Sequence, residues 1–232
     1  MKNILLIGGS YGIGLALAKE LQSNNNLFIA SRSKTTLADV KTTHLPFDAL
    51  TDTIDASQLP TVLDGLVYCP GSINLRPFKG IKPEAFAADL ELNFISLVKV
   101  LQSVLPNLLA SEQASVVVFS SIAASMGMPF HTSVAASKGA IEGFAKALAA
   151  EYAPKIRVNV IAPSLTDTPL AEKFLNNEAK QEKSAERHPL KRFGKPEDSA
   201  QMAEFLLSDK SSWISGQIFH VDGGMSTLLT HV

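Results

Sequence analysis

Short continuous apolar runs alternate along the chain with longer segments in which apolar residues recur every three or four positions. A run apolar at every position predicts a strand covered on both faces, as in a parallel sheet, and the periodic segments predict amphipathic helices. The first run, Ile4-Leu5-Leu6-Ile7, breaks into Gly8-Gly9-Ser10-Tyr11-Gly12-Ile13-Gly14 and resumes as Leu15-Ala16-Leu17-Ala18-Lys19-Glu20-Leu21, which reads as strand, glycine turn and helix. Six further strands are predicted at 27–30, 44–49, 64–71, 115–121, 156–162 and within 214–224, with helices at 35–40, 83–109, 133–151 and after Pro196. The 83–109 helix carries Phe86, Leu90, Phe94, Leu97 and Leu101 at helical spacing, opens on a proline, and should kink or end at Pro106. Residues 171–188 hold few large apolar side chains, which predicts a mobile helix and loop, a lid near 165–190. Strands alternating with helices give the α/β class: a doubly wound, mainly parallel seven-stranded sheet with helices on both faces, in a single domain over 1–232.

Length and composition narrow the partners. At 232 residues without repeats, low-complexity tracts or linkers, nothing marks a domain boundary. Lys plus Arg (21) nearly balance Asp plus Glu (22), which argues against nucleic acid or an anionic membrane and for a small-molecule substrate. The single cysteine, Cys69, cannot form an internal disulfide and suits a reducing compartment. Met1-Lys2-Asn3 runs straight into the first strand, and no apolar stretch is read as approaching the ~20 residues of a membrane helix. A cytoplasmic protein is expected.

Glycines after a strand let the backbone approach a phosphate that sits on the following helix N-terminus, so the first turn predicts a dinucleotide site. Gly8, Ser10, Gly12, Ile13 and Gly14 form it, with Tyr11 as a further stacking or hydroxyl contact. The second strand ends in Ser31-Arg32-Ser33. An acid there would accept ribose hydroxyls, whereas Arg32 can hold a 2′-phosphate, so the cofactor predicted is NADP(H); a solvated surface arginine is the other reading.

The spacing G-x-x-x-G-x-G resembles the short-chain dehydrogenase/reductase family, with Ile7 where the family usually has threonine. The segments 189–198 and 214–224 resemble its C-terminal signature, so the resemblance covers nearly the whole chain and implies a Rossmann-like fold. It implies that Asp48 and Ala49 lie at the adenine edge, although Asp48 also reads as a turn cap. Gly71 is what remains of the family's Asn-Asn-Ala-Gly, since Tyr68-Cys69-Pro70 replaces the amides. Asn93 matches an asparagine that interrupts helical bonding and holds a water near the catalytic lysine; a neutral mid-helix asparagine is the alternative. Thr168 matches a nicotinamide contact, and Pro163-Ser164 stands where Pro-Gly is common. A homotetramer or homodimer is implied, with Gly139, Ala140 and Gly143 permitting close helix packing within the chain or against a second copy.

Carbonyl reduction needs a hydride at carbon and a proton at oxygen. The family takes the proton from a tyrosine four residues before a lysine, with a serine on the substrate oxygen. Here Ser121 and Lys138 match, and Val134 stands four residues before Lys138. A valine has no transferable proton. His131, seven residues before Lys138, is the replacement acid the sequence offers, with Tyr68 a weaker one. Reduction of a conjugated double bond, which protonates carbon elsewhere, also fits. Three readings stay open: a reductase of a small or partly apolar carbonyl or enone with an atypical donor, an NADP-binding scaffold without turnover, and non-redox chemistry by Ser121 and Lys138.

Overall fold

Alternation within the central strands sorts the core onto two faces: Leu5, Ile7, Leu66, Tyr68, Val116 and Val118 point one way, and Ile4, Leu6, Val67 and Val117 the other. The strands are β1 (Lys2–Ile7), β2 (Asn25–Ser31), β3 (Thr43–Pro46), β4 (Gly65–Tyr68), β5 (Ala114–Phe119), β6 (Ile156–Pro163) and β7 (Ile218–Val221). In this computed structural model, which describes residues 1–230, they form one seven-stranded sheet in the order β3-β2-β1-β4-β5-β6-β7. Every pairing is parallel. Helices α1 (Gly12–Leu21) and α7 (Pro196–Leu207) cover the face of Ile4 and Leu6, whereas α3 (Ser96–Leu109) and α4 (Thr132–Tyr152) cover the other. The fully apolar strand runs are explained by this double cover.

Pro83–Leu109 is not one uniform helix. It is built of α2 (Pro83–Leu90), a π-helical turn (Glu91–Ile95) and then α3. Pro106 lies inside α3, which runs on to Leu109, so the proline does not end it. With 27 residues and a mean hydropathy of 1.4 over its most apolar window, this helical stretch is long and apolar enough to cross a membrane, which corrects the expectation that no stretch approached that length. In the fold, Leu97, Val100, Leu101, Val104 and Leu108 are buried on the sheet, and Lys99 on the outer side pairs with Glu91 at 2.6 Å.

Two elements are shorter than predicted. The 35–40 helix is a single 3-10 turn, Thr35–Leu37, because the β-branched Thr35-Thr36 pair is a poor helix former and one turn suffices to bury Leu37 and Val40. Strand three stops at Pro46, after which Asp48 caps a turn with Oδ1 accepting from Leu50 N at 3.0 Å. The 171–188 segment contains α5 (Glu172–Leu175) and α6 (Glu178–Arg187). It is anchored by buried Ala171, Leu175, Ser184 and His188.

Candidate active site

The strand order reverses between β1 and β4, and open α/β sheets bind ligands outside the carboxyl ends of their strands at such a point. A cavity of about 420 Å³ lies there, within the range of small-molecule and cofactor sites. The glycine turn forms one wall. A Cβ on Gly14 would lie 2.5 Å from the Gly8 carbonyl oxygen, and Gly12 has φ +53°, so neither position accommodates another residue without rearrangement. Tyr11, the N-cap of α1, makes no side-chain capping bond, which leaves first-turn N–H groups available to an anion.

Gly8, Ser10, Tyr11, Gly12, Ile13 and Gly14 all line the cavity, as do Ser31, Arg32, Asp48, Ala49, Gly71, Lys138 and Thr168. Thr36 Oγ1 donates to the Ser10 carbonyl and ties the β2 loop to the glycine turn. The Ser31 hydroxyl is buried, donating to Ser33 O at 2.9 Å and lying 3.1 Å from His44 Nε2. Arg32 is exposed at the rim, and Asp48 lines the wall while capping its own turn. Thr168 faces the glycine turn from across the cavity, its Cγ2 3.1 Å from where a Cβ on Gly12 would stand.

The chemistry-bearing side chains converge at the other end. Lys138 is buried and donates from Nζ to Phe119 O at 2.9 Å. Burial pushes its ammonium down to about 8, against the opposing pull of Cys69 and Asp89. The Cys69 thiol is pushed up to about 12 by the same loss of solvent, with Lys138 drawing it the other way. Asn93 is fully buried in the π turn, donating from Nδ2 to Asp89 O at 2.8 Å and to Ser72 Oγ at 2.9 Å. Its Oδ1 and Lys138 Nζ lie 3.1 and 3.2 Å from where a Cβ on Gly71 would stand, which puts amide, ammonium and strand end in one cluster. Ser120 and Ser121 both line the cavity, Ser121 Oγ accepting from Ala123 N at 3.2 Å and Ser120 Oγ donating to Glu142 Oε1 at 2.6 Å.

Val134 is buried and lines the cavity on α4. His131 is not among the lining residues; it is the N-cap of α4, half-buried, with Nδ1 donating to Pro129 O at 2.7 Å. Tyr68 is buried too, its hydroxyl donating to Leu92 O at 2.7 Å, and desolvation raises its phenol above the ordinary range. Neither is brought to the cavity.

Sequence reasoning missed two polar clusters, one of Ser72, Asp89 and Ser133 and one of Ser164 and His188. Ser72 lines the cavity and donates to buried Asp89 at 2.6 Å, and Ser133 donates to the other oxygen of the same carboxylate. The signal was an acid one helical turn before Asn93, on the helix face that carries the asparagine inward. Ser164 also lines the cavity and donates to buried His188 Nε2 at 2.8 Å, whose Nδ1 donates to Ser184 O at 2.7 Å. That bond joins the end of β6 to the segment carrying α6.

Residues 8–226 match the protein-family profile described as enoyl-(acyl carrier protein) reductase. The chain is 32% identical to the 3-oxoacyl-[acyl-carrier-protein] reductase of Chlamydia trachomatis over 243 aligned positions, covering 97% of each protein. It is 40% identical to the enzyme of the same description from Thermotoga maritima over 146 residues, a match that spans 62% of this chain and 58% of that one. The structure of a short-chain type dehydrogenase/reductase from Mycobacterium ulcerans superimposes with a TM-score of 0.86 at 28% identity, covering 97% of this chain and 90% of that one. With the parallel sheet, the glycine turn at its switch point and a family match over almost its full length, the chain belongs to the short-chain dehydrogenase/reductase family of NAD(P)-dependent oxidoreductases.

Proposed function

We propose that this protein is an NADPH-dependent reductase of a small or partly apolar carbonyl or enone substrate, in which the proton does not come from position 134. The observation that carries this reading is the cavity itself: Ser121 and Lys138 line it together with Val134, an apolar side chain one helical turn before the lysine. The residues present suit the cofactor. The Gly8–Gly14 turn and the uncapped start of α1 would hold the pyrophosphate, Arg32 the 2′-phosphate, and Lys138 and Thr168 the nicotinamide end. When bound, NADPH supplies the hydride. Ser121 then orients the substrate oxygen, and the buried Lys138 ammonium opposes the negative charge that develops there. Ile73, Leu92, Leu165, Leu170 and Ala171 along the cavity support a partly apolar substrate.

The same reading takes the chain as a homotetramer or homodimer, supported by the open space beside Gly139 and Gly143 on α4. Segment 165–190 serves as the lid. The test is NADPH oxidation with a panel of ketones and enones beside nucleotide titration. Turnover with at least one class supports the reading. NADPH binding without turnover on any of them favours the scaffold alternative, which the apolar Val134 also suits.

A further inference from the structure

Asp89 is 4% exposed and stands on α2 against the start of α4, a position where a carboxylate costs stability unless it is bonded. Its two oxygens accept from Ser72 and Ser133, on different segments of the chain, and its charge acts on buried Lys138. Of these groups Ser72 and Lys138 reach the cavity, and Ser72 is the one bonded directly to Asp89. Its oxygen accepts from Asn93 Nδ2 at 2.9 Å, while its proton is given to Asp89 Oδ1 at 2.6 Å. A hydroxyl oxygen has two lone pairs, so one remains.

We propose that Ser72 and Asp89 form the proton path of this active site: Ser72 exchanges a proton with the substrate oxygen, and Asp89, acting through Ser72, is the positioning residue and proton store. The inference rests on the oxidoreductase reading above. When a hydroxyl substrate is oxidised, its O–H bond breaks toward the free lone pair of Ser72, the Ser72 O–H bond breaks toward Asp89, and the carboxylate becomes a carboxylic acid that returns its proton to water. The electron pair of the substrate C–H bond leaves as hydride to the oxidised nicotinamide dinucleotide. In reduction each bond changes in the reverse sense: a proton taken up from water passes through Asp89 to Ser72 and from Ser72 to the substrate oxygen. Asn93 keeps Ser72 in register by its donated bond.

The experiment uses full-length protein with cyclohexanone and NADPH, and cyclohexanol and NADP⁺, as probes. D89N and S72A are made in the wild-type chain and in V134Y, where a phenol offers a second proton source. Loss of kcat with little change in KM is expected for both variants in the wild-type background. That loss should be about tenfold or more, the lower end of what a positioned proton-transfer group contributes, and at least several times larger than in V134Y. A merely structural role would lower both backgrounds alike. Separately, the carboxylate stretch identified from the wild-type minus D89N infrared difference should shift in S72A, with no substrate present. Equal losses in the two backgrounds, undiminished wild-type kcat, or an unshifted band overturns the proton path. If wild type binds NADPH but turns over neither probe while V134Y does, the path is overturned together with the oxidoreductase reading; turnover insensitive to Ser72 and Asp89 overturns the path alone.

Discussion

Val134 and Lys138 lie one helical turn apart on α4 and both line the cavity at the sheet's switch point, so the residue one turn before the buried lysine presents an apolar side chain to the cavity. A small aliphatic group there has no proton to donate. Lys138, buried and bonded to Phe119 O, retains its charge beside the cavity without a phenol to act upon. On the proposed reading cofactor affinity and proton delivery are separable, and each has its own measurement.

NADPH should bind more tightly than NADH, because Arg32 follows β2 at the cavity rim and the preceding residue, Ser31, carries no charge. Arg32→Ala should remove about 1.5 to 3 kcal/mol of NADPH affinity, the range for a hydrogen bond to a charged group, and leave NADH nearly unchanged. Fluorescence titration of both nucleotides reads this out. Equal affinities in the unsubstituted protein would contradict it.

Nucleotide binding should take up a proton above about pH 8, because burial holds free Lys138 at about 8 and a polyanion beside it favours the ammonium. The sign follows from linkage: binding that adds a proton weakens as pH rises, so NADPH affinity should fall through and above that value. Calorimetry in two buffers of different protonation enthalpy measures the uptake, and Lys138→Met should abolish it. Binding with no proton exchange in this range would contradict the assignment of Lys138 to the nucleotide site.

Cys69 should alkylate slowly in the folded protein. Desolvation pushes its thiol up to about 12, leaving little thiolate at neutral pH. Iodoacetamide labelling followed by mass spectrometry should be much faster after unfolding. Equal rates would show that Lys138 stabilises the thiolate more than burial disfavours it.

The oligomer should appear in light scattering as two or four times the chain mass. Gly139 and Gly143 meet nothing within 4 Å of an added Cβ, so this stretch of α4 has room for close approach by a second copy. Gly143→Leu should shift the population toward smaller species. A monomer at all micromolar concentrations would contradict the expectation.

The centre of the sheet was legible because its strands are buried on both faces and so are almost wholly apolar, as in Leu66-Val67 and Val116-Val117-Val118. The cofactor wall was legible for a different reason: Gly8, Gly12 and Gly14 are demanded by backbone geometry, which leaves a trace in residue type. Polar groups that meet only through tertiary packing left a weaker trace. Ser72, Asp89 and Ser133 come from separate segments, and Ser164 meets His188 across 24 residues. His131 illustrates the converse, since spacing along the chain set it near Lys138 while the backbone carbonyl of Pro129 holds its ring at the helix start. Local propensity likewise misjudged 35–40, where two threonines and a contact with the glycine turn favour a single tight turn.

The proposed arrangement, an NADPH pocket with a valine four residues before its lysine, has its sharpest test in steady-state reduction of a simple ketone by wild type, Val134→Tyr and Val134→Tyr/Lys138→Ala. A positioned general acid typically contributes ~10² to 10⁴ in rate, so Val134→Tyr should raise kcat by up to that factor with unchanged NADPH affinity, and the added Lys138→Ala should cancel the gain. A lower rate in Val134→Tyr than in wild type, with the nucleotide still bound, would contradict the account.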